Sequence, residues 1–168
     1  GPEFEAMLRE VTENLKIFFE TRNDLYLLTA SGTGAMEAAI VNTLSPGERV
    51  LAVSIGVFGD RFGEIAASYG AEVTPLRFKM GYPADPTAVR QVLREKGPFA
   101  AVLLTQNETS TGVTNPMEAL CAAIHETAPE ALVLVDGISG LGAIRLQTDA
   151  WGCDVVVSGS QKAWMAPP

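Results

Sequence analysis

Lys162 is the residue whose surroundings point most directly to chemistry. It follows the apolar run at 154–157 and a turn of small residues at 158–160. Partial burial in such a setting lowers the pKa of an amine toward its neutral, nucleophilic form. A solvated loop lysine is the ordinary alternative, but the neighbours Ala163 and Trp164 argue against a freely solvated face. The sequence therefore predicts a partly buried, reactive amine.

Asp136 is a second candidate because it ends the apolar run at 132–135 and precedes Gly137. Removing a carboxylate from water is costly unless a cation or a strong donor meets it. The residues alone leave three roles open for Asp136: a helix cap, a metal ligand, or the partner of a protonated ring nitrogen. The metal role ranks lowest, because no second acidic residue is positioned nearby in the sequence for a metal.

Two further segments could bind parts of a ligand. Ser-Gly-Thr-Gly at 31–34 follows an apolar run and opens a helical pattern, so backbone N–H groups and the helix dipole could bind an anion there. Its spacing matches neither a dinucleotide fingerprint nor a P-loop, and a tight turn capped by Thr33 is the alternative. Phe58 lies between small residues at another strand end, where it could stack on a planar ring or pack in the core.

These candidates all follow short apolar runs that alternate with helical patterns. The runs predict strands at 25–29, 49–53, 71–76, 99–104, 131–135 and 154–157. The amphipathic patterns predict helices at 5–21, 34–44, 59–69, 86–96 and 116–127. The alternation predicts an α/β fold, a three-layer α/β/α sandwich with a mostly parallel sheet. Ligands bind such sheets beyond the carboxyl ends of the strands, so the candidates should converge there.

Composition narrows the class of protein. The chain has 168 residues, of which 47% are hydrophobic, and a net charge of −8. The acidic balance argues against a nucleic acid or an anionic membrane surface as partner. No apolar run approaches the roughly 18 residues of a membrane-spanning helix. Cys121 and Cys153 lack CxxC spacing, so a disulfide scaffold and a zinc site have no support, and a reducing cytoplasmic location is expected.

An anion-binding loop, an aromatic ring, a carboxylate and a lysine are together what a protein needs to bind pyridoxal 5'-phosphate (PLP). Three motifs add a family resemblance: SGTGAMEA at 31–38, ETSTGV at 108–113, and SGSQKA at 158–163, followed by APP at 166–168. By the order and separation of these motifs, the chain resembles class-V, fold-type I PLP-dependent aminotransferases. Within them it is most similar to the alanine–glyoxylate and serine–pyruvate group.

The resemblance implies how four residues would treat the cofactor ring. Lys162 would form the Schiff base with PLP and then move the proton at the substrate Cα. Asp136 would keep the pyridine nitrogen protonated. Phe58 would stack on one face of the ring, where relatives often have Trp, and Ile138 would pack on the opposite face.

The resemblance also implies contacts with the rest of the cofactor. Thr33, Gly34 and Gln161 would hold the phosphate. Thr109 would donate a hydrogen bond to the phenolic oxygen or the phosphate region. Ala35 occupies a cofactor-contact position where some relatives have His, so that contact is missing here.

Relatives of this kind are longer, homodimeric, and carry a C-terminal domain whose arginine binds the substrate carboxylate. The resemblance therefore implies that residues 1–168 are a fragment of the PLP-binding large domain without that C-terminal domain. The chain ends just past the SGSQKA motif that contains Lys162, which agrees with this expectation. Gly1 and Pro2 fit the remnant of a cleaved tag, although residues 2–4 also resemble native sequence. The implied substrates are alanine or serine and a 2-oxo acid, glyoxylate or pyruvate.

Two alternatives stay open. A PLP-dependent cysteine desulfurase-type lyase would need a reactive Cys and a His over the ring. Here Phe58 replaces that His, His125 lies in a helical pattern and Cys153 precedes a strand. The other alternative is a non-catalytic fragment or protein-interaction module of the same fold, whose uncovered sheet edge would be a pairing surface.

Overall fold

Helices and strands alternate along the computed structural model, which describes residues 1–167. The helices are α1 Pro2–Phe19, α2 Gly32–Thr43, α3 Val57–Ser68, α4 Pro86–Lys96 and α5 Met117–Thr127. The strands are β1 Arg49–Ser54, β2 Glu72–Arg77, β3 Ala101–Thr105, β4 Asn107–Glu108, β5 Val113–Thr114, β6 Leu132–Asp136 and β7 Val155–Val157.

A five-stranded parallel sheet in the order β2-β1-β3-β6-β7 carries the fold. Its register pairs Thr105 with Asp136, and Asp136 with Val157. The carboxyl ends of β3, β6 and β7 therefore lie side by side. Beyond the end of β3, β4 and β5 form a short antiparallel pair. The predicted mostly parallel α/β architecture is confirmed.

Two apolar clusters cover the two faces of the sheet. Leu51 of β1 joins Leu120 of α5 in the cluster under α4 and α5. Its neighbour Val50 joins Met36 and Phe62 in the cluster under α2 and α3. Every residue of β3 is buried, as expected for a central strand whose apolar run is continuous rather than alternating.

Helix α2 begins with a side-chain cap. The Oγ of Ser31 accepts a hydrogen bond from the Gly34 N–H at 3.3 Å, which satisfies one of the unpaired donors of the first turn. The alternative that Thr33 caps this helix is therefore wrong, because Thr33 already lies inside it. The backbone of 32–34 is thus part of the helix N-terminus.

The predicted strand at 25–29 is wrong. In the described chain this segment pairs with no strand, and Tyr26 is 76% exposed. An apolar run forms a stable strand only where a neighbour supplies hydrogen bonds and side-chain contacts. Neither β2 nor β7, the two edges of the sheet, offers that pairing to 25–29.

Helix α1 buries none of its residues. Its apolar side chains Phe4, Met7, Leu8 and Val11 are exposed. The helix is attached through its C-terminal end, where the ring of Phe19 stacks on Trp164 at 5.9 Å between centroids. None of the helices in residues 1–167 is long and apolar enough to cross a membrane.

Cys121 and Cys153 meet in the core although they are remote in sequence. Their Sγ atoms are 3.9 Å apart, and both thiols are free and buried. The hydrogen bond to Cys121, and then burial, raise the pKa of the Cys153 thiol. The pair joins α5 to the segment before β7, which the sequence spacing did not indicate.

Candidate active site

The carboxyl edge of the sheet carries the candidate residues. Asp136 ends β6, Phe58 opens α3 after β1, and Thr109 follows β4. Lys162 lies in the turn after β7. Because parallel strands end at the same edge, the fold places these residues along one edge of the sheet.

Asp136 is the buried acid of the site. The residue is 4% exposed, and its Oδ1 accepts a hydrogen bond from the Ile138 N–H at 2.9 Å. Burial raises the pKa of Asp136 to about 6, while that hydrogen bond lowers it, nearby Glu108 raises it and Lys162 lowers it. Within residues 1–167, its other oxygen has no hydrogen-bond donor. The carboxyl is therefore open to a donor from a ligand.

Ile138 joins two loops of the site. A Cβ on Gly32 would lie 2.9 Å from the Ile138 Cδ1, and a Cβ on Gly159 would lie 3.4 Å from its Cγ2. The side chain of Ile138 therefore rests against the start of α2 and against the turn that leads to Lys162. Gly32 allows that close approach because it has no side chain.

The N-terminus of α2 has unpaired backbone donors in the described chain. Ser31 binds the Gly34 N–H, whereas the N–H groups of Gly32 and Thr33 have no acceptor in the described chain. These free donors and the positive end of the helix dipole favour a negative charge. Thr33, Gly34 and Ala35 are half-buried, so the site is accessible.

Phe58 is held at the start of α3. Its N–H donates to the carboxylate of Glu108, 3.1 Å from Oε2, and the Gly59 N–H donates to the same oxygen at 3.1 Å. The Arg61 guanidinium lies 5.2 Å from the centroid of the Phe58 ring. The half-buried ring thus lies at this edge of the sheet, on a backbone held by the carboxylate of Glu108.

Sequence reasoning gave no role to Glu108, although the residue opens one of the motifs that it singled out. The signal that points to it is the start of α3, where Gly56 offers no side-chain cap. A helix N-terminus without its own cap needs acceptors from elsewhere. In this fold they come from a buried acid fifty positions away.

Lys162, Gln161 and Thr109 are exposed. The predicted partial burial of Lys162 is therefore wrong. The turn that carries it follows a strand of three residues at the edge of the sheet, and no element of the described chain covers its side chain. Its charge nevertheless acts on Asp136, whose pKa it lowers. Pro168, the last residue of the APP stretch at 166–168, lies outside the described residues.

The residues that a desulfurase-type lyase would use lie elsewhere. His125 is on α5, where its Nε2 lies 3.0 Å from the Gly152 carbonyl oxygen. Cys121 and Cys153 contact each other in the core. Within residues 1–167 no group of three or more His, Cys, Asp and Glu could hold a metal ion.

Comparison with known proteins gives a consistent result. A family model described as "Aminotransferase class-V" matches residues 1–168. The chain is 44% identical to the soluble hydrogenase 42 kDa subunit of Anabaena cylindrica, over 99% of this chain and 44% of that protein. It is 37% identical to the L-aspartate–glyoxylate aminotransferase of Paracoccus denitrificans, over 100% of this chain and 43% of that protein.

A solved structure extends the comparison to the fold. Alanine–glyoxylate aminotransferase from Nostoc sp. matches with a TM-score of 0.94 and 35% identity, over 100% of this chain and 44% of that chain. The chain therefore spans less than half the length of the proteins that it matches.

Proposed function

Because the chain belongs to the class-V aminotransferase family, we propose that it forms the cofactor-binding part of a PLP-dependent aminotransferase. The whole protein would move an amino group between a small amino acid, alanine or serine, and a 2-oxo acid, glyoxylate or pyruvate. The glyoxylate aminotransferases among its relatives support this choice. Residues 1–168 are then part of the large domain, with the substrate-carboxylate arginine outside them.

Asp136 carries the proposal. Its carboxyl is buried, one of its oxygens has no donor in the described chain, and its pKa is raised to about 6. A protonated ring nitrogen would supply the missing donor and a compensating positive charge. The residues present thus fit the pyridine ring of PLP, with Asp136 holding a proton on the ring nitrogen.

The open start of α2 fits the phosphate. The free N–H groups of Gly32 and Thr33 supply donors, and we assign Thr33, Gly34 and the exposed Gln161 to phosphate binding. Ala35, in the same helical turn, contributes no polar side chain to this contact. A phosphate at a helix N-terminus is favoured by both the donors and the dipole.

We assign the contacts with the two faces of the PLP ring to Phe58 and Ile138. Phe58 supplies an aromatic face from α3, and Ile138 supplies an apolar face between Gly32 and Gly159. Thr109, exposed on the loop after β4, is assigned to the phenolic oxygen or the phosphate region. The ring would thus lie between a stacking surface and a packing surface, with its nitrogen toward Asp136.

Lys162 is assigned the covalent attachment of the cofactor and the movement of the substrate proton. Its exposed, flexible side chain can reach outward to a ligand, and an amine is both a nucleophile and a base. When bound, PLP supplies an electron sink for the charge that develops when the substrate Cα–H bond breaks. Lys162 would take up that proton from the substrate Cα and deliver it to C4′ of the cofactor.

We also propose a homodimer and a cytoplasmic location for the whole protein. The exposed apolar side chains of Phe4, Met7, Leu8 and Val11 on α1 support a further contact surface. The free thiols of Cys121 and Cys153, in contact but not bonded, fit a reducing compartment.

A PLP titration followed by absorbance tests the role of Asp136. We expect a saturable visible band for the wild-type chain, and about tenfold or more weaker binding for D136N, because a charged hydrogen bond is lost. D24N, which changes an exposed aspartate, is the matched control and should bind like wild type. Equal binding by D136N, or no binding by wild type, would contradict the proposal.

A further inference from the structure

The N-terminus of α3 receives its cap from a distant loop. The carboxylate of Glu108 accepts hydrogen bonds from the N–H groups of Phe58 and Gly59. The N–H of Val57 donates to the Ser110 Oγ at 3.2 Å. The first three N–H groups of α3 therefore all donate hydrogen bonds to side chains of the segment that follows β3.

Glu108 is fully buried, with 0% exposure. Besides the two helix donors, its Oε1 accepts from the Ser110 N–H at 3.1 Å and from the Ser110 Oγ at 2.7 Å. No cationic side chain hydrogen-bonds to the carboxylate in the described chain. Four donors on an acceptor-only group make an arrangement that no neutral side chain of the same shape reproduces.

Gly56 makes room for this acid. A Cβ at position 56 would lie 2.5 Å from the Glu108 Cγ and 2.6 Å from its carboxyl carbon. A Cβ there would also lie 2.6 Å from the Ser110 Oγ. The backbone of Gly56 is extended, with φ 171°, so the close approach of Glu108 and Ser110, and not the backbone conformation, requires glycine. Gly56 and Glu108 are therefore both needed for this contact, because the glycine leaves the space that the acid occupies.

The backbone of Glu108 also holds the turn that carries Thr109. The carbonyl oxygen of Glu108 accepts from the Gly112 N–H at 2.8 Å and from the Thr111 N–H at 3.1 Å. Thr109 lies within this turn, next to Glu108. One buried residue therefore connects the backbone of Phe58 to the backbone of Thr109.

We propose that Glu108 is the positioning residue that sets Phe58 and Thr109 at the correct distance around the cofactor ring. This inference rests on the proposed function, because both residues are assigned to PLP there. Glu108 touches neither substrate nor cofactor in this scheme. It acts through the first turn of α3, and its charge also raises the pKa of Asp136.

Amide hydrogen exchange and PLP binding test the proposal together, in E108Q and G56A. E108Q places an NH2 group against backbone donors, and G56A displaces the carboxylate together with the Ser110 hydroxyl, which lies 2.6 Å from the added Cβ, without altering the acid itself. We expect the Phe58 and Gly59 amides to exchange about tenfold or more faster in both variants. Amides of β6 should keep their protection. E64Q, which changes an exposed acid on α3, should behave as wild type.

The PLP arm separates positioning from a merely structural cap. We expect about tenfold weaker PLP binding and a reduced circular dichroism band of bound PLP in E108Q and G56A, because the ring is less fixed. Faster exchange with unchanged affinity and dichroism would overturn the positioning role. Unchanged exchange in either folded variant would overturn the cap itself.

Failure of the proposed function has a different signature. If wild type binds no PLP while Phe58 and Gly59 exchange faster in E108Q, the cofactor assignment and the positioning role are both overturned, and the cap stands. If E108Q does not fold, G56A alone decides, because it keeps the acid and alters the space that Glu108 and Ser110 occupy.

Discussion

The two halves of the candidate site differ in how firmly the fold holds them. The inner half, Phe58, Glu108 and Asp136, lies at the ends of β1, β3 and β6, with two buried acids and fixed hydrogen bonds. The outer half, Gln161 and Lys162, is exposed in the turn after β7. Central strands have neighbours on both sides, whereas β7 pairs on one side only in the described chain.

Under the proposed function, the two halves would do different work. A group that sets orientation and charge must be in place before the ligand arrives, because reorganisation during the reaction is costly. Asp136 and Phe58 meet that condition. An amine that must reach, attach and move a proton needs freedom, and Lys162 has it.

D136N, in the inner half, is expected to have the largest effect on the free energy of unfolding. In the folded chain the pKa of Asp136 is raised from 3.8 to about 6, so between these values the folded state binds more protons than the unfolded state. The stability that this proton provides is present below pH 4 and is lost as pH rises through about 6. The difference corresponds to about 3 kcal/mol in the free energy of unfolding.

Denaturant unfolding between pH 4 and 8 checks this expectation. The stability of D136N relative to wild type should rise by about 2.4 kcal/mol from pH 4 to pH 7, since asparagine does not titrate. D24N should follow wild type throughout. Parallel pH curves for D136N and wild type would break the distinction between the two halves.

An intermediate effect is expected from F58L. The half-buried ring is replaced by an apolar side chain that keeps part of the packing but offers no aromatic face. We expect about 1 kcal/mol weaker PLP binding, which is about fivefold in the dissociation constant. The titration that serves for D136N measures it, and F58W should retain wild-type affinity. Wild-type affinity in F58L would remove the stacking role.

The smallest effect on stability is expected in the outer half, from K162A. The side chain is exposed, so the free energy of unfolding should change by no more than about 0.5 kcal/mol. Chemical denaturation without cofactor measures this value. A loss well above that range would mean that Lys162 is part of the folded framework, and the comparison would fail.

The sequence predicted the inner framework better than the outer one, for a physical reason. The runs that became β1, β3 and β6 are buried on both faces, so hydrophobicity alone identifies them. The segment 25–29 is equally apolar, yet strand formation depends on a partner that local sequence does not reveal. The predicted partial burial of Lys162 is wrong for a similar reason. Elements remote in sequence decide whether a side chain is buried, and local sequence does not reveal them.

Contacts between remote residues were the part that the sequence could not reveal. Glu108 lies at a predicted strand end, but its partner Phe58 is fifty positions earlier, and no periodicity connects the two. The Cys121–Cys153 contact is hidden in the same way. The cofactor roles of all the candidate residues, and the extent of the domain, stay predictions.

Reduction of the PLP-treated chain with borohydride, followed by peptide mass mapping, tests the central claim most directly. The chain has four lysines, Lys16, Lys79, Lys96 and Lys162, so the map discriminates among all of them. We expect the label on Lys162, and its loss in K162A but not in K79A. A label spread over the other lysines, or none on Lys162, would contradict the assignment of this edge of the sheet as a PLP site.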